Sequence, residues 1–139
     1  MASSSMTRRL SPGGLSRAYP RAITILGAVI ATLVIYLVTT YLGQVDLTVN
    51  NGEMTITAVD VVVGTLVAGL IAWGLLAVLE RRTGRAWTIF RGVAIAVLIV
   101  SMLGPLGADE ALGKTALSVM HVFAAAIIIK GFSRTARRR

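Results

Sequence analysis

AITILGAVIATLVIYLVTTYLG, residues 22–43, contains no charged side chain. A helix rising 1.5 Å per residue needs roughly 20 apolar residues to cross about 30 Å of hydrocarbon, so this stretch reads as a membrane-spanning helix. Working outward, three more runs of similar length follow. Residues 57–79 are interrupted only by Asp60 near the start. Residues 86–104 carry Arg91 one turn in and stop before Pro105, which cannot extend the hydrogen-bond ladder. Residues 111–132 hold Lys114 and Lys130 near their ends and His121 inside. Long cationic side chains near helix ends reach the headgroups, so Arg91 and the two lysines do not oppose spanning.

The composition agrees. Of 139 residues 55% are hydrophobic, and the mean hydropathy of +0.79 is far above the soluble norm. There is no cysteine, which excludes disulfides, thiol redox chemistry and thiolate metal sites. The excess of basic residues, 14 against 6 acidic, is not that of a nucleic-acid reader, because the charges lie between apolar runs instead of on a polar surface. Orientation follows from their distribution, since short loops rich in Arg and Lys stay in the cytoplasm. Thirteen of the fourteen cations fall in the N-terminal segment, the loop after the second run and the C-terminus, all on one side of an even number of crossings. The opposite loops hold Asp46, Glu53, Asp109 and Glu110 with Lys114 as their only cation. Tyr19, Trp87 and Phe132 fall at the inner boundary and Tyr41 at the outer one, the headgroup level that aromatic rings favour.

The expectation is an all-α integral membrane protein: a four-transmembrane-helix bundle in the bacterial cytoplasmic membrane, both termini cytoplasmic. A small extracytoplasmic β-hairpin should join helices one and two. Residues 1–21, rich in Ser and Gly with Pro12 and Pro20, read as a disordered basic tail, and 133–139 as a second basic tail. Residues 39–44 lack a small-x-small cleavage site, so the first helix is expected to stay attached. The hairpin is read over 45–57, where Val45-Asp46-Leu47-Thr48-Val49 and Glu53-Met54-Thr55-Ile56-Thr57 alternate around Asn50-Asn51-Gly52. A lone hairpin is marginal in water, so its apolar face should rest on the helix ends or on a partner.

Ionisable residues inside a membrane are costly and therefore the first functional candidates. Asp60, Gly64 and Ala68 share one face of the second helix at spacings of four, with Gly69 and Trp73 on a neighbouring strip. Small residues permit close helix approach, so Gly64, Ala68 and Gly69 read as a packing seam with Asp60 capping or hydrogen-bonding at its top, and the Gly64 and Ala68 face as that of a homodimer. On the fourth helix Lys114, Ser118, His121 and Ala125 fall on one side. His121 must find a hydrogen-bond partner. Either it fixes the packing, or Asp60, His121 and Ser118 form a polar site for proton exchange or ligand contact, with Asp60 the partner of His121. One histidine without thiols or nearby carboxylates makes no metal site, and no cofactor is expected. Arg81, Arg82 and Arg85, with Arg137, Arg138 and Arg139, read as topology signals and contacts to anionic lipid.

Val45-Asp46-Leu47-Thr48-Val49, the stretch Gly74-Leu75-Leu76-Ala77-Val78-Leu79-Glu80-Arg81-Arg82, Leu103-Gly104-Pro105-Leu106 and Met120-His121 occur together. In these the chain resembles, over about residues 21–132, a family of small four-helix membrane proteins of unknown function found in actinobacteria. The resemblance implies a shared architecture in the plasma membrane and supplies no activity. Two classes of function are therefore expected: a non-enzymatic accessory or interaction component of the cell envelope, touching lipids, a second copy or an envelope protein; or a small oligomeric transporter or channel using Asp60 and His121. An enzyme is not expected, because no nucleophile, phosphate loop or paired carboxylates appear.

Overall fold

The computed structural model describes residues 15–49 and 52–136; the turn residues Asn50 and Asn51, the cations Arg8 and Arg9 and the lipid-contact candidates Arg137, Arg138 and Arg139 lie outside them. In chain order come helix α1 (Leu15–Leu37), a π-turn (Val38–Leu42), strands β1 (Thr48–Val49) and β2 (Met54–Thr55), helices α2 (Ala58–Arg82) and α3 (Ala86–Ser101), a single turn α4 (Leu103–Leu106) and helix α5 (Ala111–Ser133). Four stretches are long and apolar enough to cross a membrane: Ala18–Leu42, Ala58–Arg82, Ala86–Leu106 and Ala111–Ser133. Their outward surfaces carry exposed Leu26, Ile30, Val59, Ile99 and Val100, a coverage that water would not tolerate and lipid requires.

Helix α1 packs on α2 and α5, and α3 closes the ring against the same two. In lipid there is no hydrophobic drive between helices, so close approach of backbones supplies the association. Ala28 is fully buried. A side chain at Gly69 would meet Cγ2 of Ile25 at 2.9 Å, and one at Gly131 would run into Thr24. Two apolar cores result. Tyr36, Val45, Leu47, Leu117 and Met120 form one at the end that carries the hairpin. Ile25, Leu76, Phe90, Ile128 and Phe132 form the other, at the end that carries the basic loop.

Three boundaries differ from expectation. The first helix starts at Leu15, not at 22, and runs through Pro20. The reason is tertiary: Arg21, 3% exposed, donates from Nη2 to Glu80 Oε1 at 2.7 Å and from Nε to Thr135 Oγ1 at 3.1 Å, so that α1, α2 and the end of α5 are tied together. Pro105 does not end the third span. It sits buried in α4, where a proline in a first turn forfeits little because that N–H lacks an intrahelical partner anyway. Phe132, expected at the headgroup boundary, is fully buried and lies 5.9 Å from Phe90, whose ring is 5.8 Å from Trp87.

The hairpin is shorter than its alternation suggests. Thr48 pairs with Thr55 and Val49 with Met54, and one further bond runs from Ile56 N to Leu47 O at 2.8 Å. Val45 and Leu47 are buried as the alternation requires, but Met54 is 59% exposed. The connection before α5 completes the layer: Ala108 bridges Val49, Asp109 N donates to Thr48 O at 3.1 Å, and Gly52 N donates to Asp109 Oδ2 at 2.9 Å. Gly52 adopts φ 82°, which a residue with a Cβ rarely does.

Candidate functional site

The ring leaves a partly open cavity of about 630 Å³ between α2, α3 and α5, with Thr32 of α1 at its wall. Its length follows from the helices. Met54, Ile56 and Asp60 line the hairpin end, and Leu75, Phe90 and Ile128 the basic end. It thus joins the two cores along one side of the bundle. The volume falls in the range of about 300–1,000 Å³ typical of small-molecule sites, and such sites combine apolar walls with a few placed polar groups.

Five polar side chains line it: Thr32, Asp60, Thr65, Ser101 and His121. His121, in the third turn of α5 and half-buried, has Nδ1 2.8 Å from the carbonyl of Leu117. A carbonyl only accepts, so Nδ1 carries a proton in this contact. Thr32 Oγ1 donates into the Ala28 and Val29 carbonyls, both at 3.0 Å. It also lies 3.2 Å from Thr65 Oγ1, a contact in which either hydroxyl can donate. Ser101 Oγ donates to Leu98 O at 2.8 Å.

Asp60 is in the first turn of α2 and exposed. Its partner is Thr57 rather than His121: Oδ2 accepts from Thr57 N at 2.8 Å and from Thr57 Oγ1 at 2.7 Å, while Thr57 Oγ1 accepts from Asp60 N at 3.4 Å. This is a capping box, which satisfies the free N–H groups at the start of α2. Asp60 and His121 share the cavity but stand at different depths, one at the rim and one nearly three turns in. Ser118 is not among the lining residues.

The small-residue strip divides. Gly64 and Ala68 are exposed and line the cavity, whereas Gly69 faces the other way and packs on Ile25. Arg81, Arg82 and Arg85 are exposed at the basic end. Sequence reasoning missed Thr32, Thr65 and Ser101, single hydroxyls in apolar runs with no spacing to mark them. It also missed Arg21 with Glu80. A signal for that pair existed, since Glu80 is the one acid among the cation-rich segments.

Among the described residues the fold is a bundle of four helical stretches long and apolar enough to cross a membrane, with a hairpin at one end. The chain belongs to a family of unknown function (DUF6069), whose model matches residues 13–138. No curated protein and no solved structure matches the chain.

Proposed function

We propose that this protein is a non-enzymatic accessory component of the bacterial plasma membrane that takes a hydrophobic molecule from the bilayer into the cavity between α2, α3 and α5. The observation that carries this reading is the cavity itself, about 630 Å³ of mostly apolar lining within the spanning helices. On this reading both termini and the loop with Arg81, Arg82 and Arg85 are cytoplasmic, as the segregation of cations supports. Those arginines meet anionic headgroups, and the hairpin lies on the outer face. Its partners are membrane lipids and a second copy or another envelope protein.

The test is purification in lipid-retaining polymer with mass spectrometry of what accompanies the chain, comparing the native protein with Ala125→Phe, which puts an aromatic ring into the cavity. A molecule retained by the first and lost from the second is expected. Identical inventories would overturn the reading.

The placement of Asp60 and His121 in one lining supports a second reading, a small oligomeric transporter. Loss of proton-coupled flux from liposomes in Asp60→Asn or His121→Ala, with folding intact, would favour it over simple binding.

A further inference from the structure

Resting on the reading that the cavity takes a hydrophobic molecule, we infer that its ligand is an amphiphilic amine: a single apolar tail with a protonated N–H head.

The tail follows from shape. From the level of Asp60 to that of Leu75, both in the lining, α2 rises roughly 22 Å at 1.5 Å per residue. A cavity of about 630 Å³ over that height, walled mainly by apolar side chains, accommodates one extended hydrocarbon chain.

The head follows from the charge of the lining. Ser101 donates to Leu98 O, Thr32 to the Ala28 and Val29 carbonyls, and His121 Nδ1 faces Leu117 O, while Thr32 and Thr65 share a contact in which either hydroxyl can donate. Both hydrogen bonds accepted by Asp60 end on Oδ2, which leaves Oδ1 as a further acceptor. Among the described residues the lining presents one carboxylate and no Lys or Arg. A carboxylate or phosphate head would face the like charge of Asp60. An ammonium at the rim meets the Asp60 charge and can donate to its Oδ1. This preference runs against the net charge of +8, so the field of the whole protein cannot produce it.

The experiment is photolabelling of the full chain in nanodiscs of zwitterionic lipid, with mid-chain diazirine analogues of dodecylamine and of dodecanoate, and peptide mapping of the adducts. The amine should label lining positions of α2, α3 and α5 about tenfold more than the carboxylate, a difference of about 1.4 kcal/mol in binding. Asp60→Asn with His121→Leu should reduce that ratio to near one while labelling of the lining persists. Equal labelling of the lining by both probes in the native chain would overturn the amine assignment and leave the cavity reading standing. Adducts confined to lipid-facing positions such as Val59 and Ile99, with neither probe in the lining, would overturn both.

Discussion

Replacing Glu80 by leucine strands the Arg21 guanidinium, and the cost can be worked from the pair. The side chains are 4% and 11% exposed and the charged atoms stand 2.7 Å apart. At an effective dielectric of about 20 the Coulomb attraction is roughly 6 kcal/mol, and desolvation of the two ions takes several kcal/mol each in the opposite direction. The intact pair is consequently worth little net, but a buried charge that loses its counter-ion costs about 3–5 kcal/mol. Among the described residues Arg21 then keeps its Thr135 bonds, of which the 3.3 Å one to the backbone oxygen is long. Glu80→Leu should therefore destabilise the bundle by about 3–5 kcal/mol, and Arg21→Met added to it should restore most of the loss. The assay is unfolding by sodium dodecyl sulfate in mixed micelles, followed by circular dichroism. A Glu80→Leu protein within about 0.5 kcal/mol of the native one, the ordinary range of surface substitutions, would refute the reasoning. So would a double variant no more stable than the single one.

Other expectations concern packing, capping and direction. Gly69→Val and Gly131→Val should each cost about 1–3 kcal/mol through forced overpacking, while Gly64→Val, with nothing within 4 Å of its Cβ position, should be tolerated in the same titration; equal losses at all three would refute the assigned helix contacts. Thr57→Ala removes the capping box of α2 and should cost about 0.5–2 kcal/mol, with faster amide exchange confined to the first turn of α2. The native chain has no cysteine, so single cysteines report direction without background. Glu53→Cys should react with a membrane-impermeant maleimide in intact cells and Arg85→Cys only after permeabilisation; the reverse pattern would overturn the cytoplasmic placement of the basic loop.

How far these features were legible in the sequence varies with the physics behind each. The four spans were readable because hydrocarbon thickness sets a minimum apolar length, and Gly43, Thr57 and Ala111 lie at or near real ends. The hairpin was readable at Val45 and Leu47, whose alternation puts both in the core, but not at its edges, where pairing to Ala108 and Asp109 depends on a loop some sixty residues away. Asp60 was readable as a cap through the Thr57-x-x-Asp60 spacing; its separation from His121 was not.

By itself the sequence determined the number and length of the membrane-crossing segments, their short connections and the segregation of charge, because each is a local property of composition read against a bilayer. Tertiary structure alone decided which faces meet. In a soluble helix the apolar stripe marks the inside, but here lipid and core are both apolar, so periodicity carries no such mark. That is why the burial of Arg21 against Glu80, the seating of Gly69 on Ile25 and the gathering of Thr32, Asp60, Thr65, Ser101 and His121 around one cavity emerge only from the packed helices.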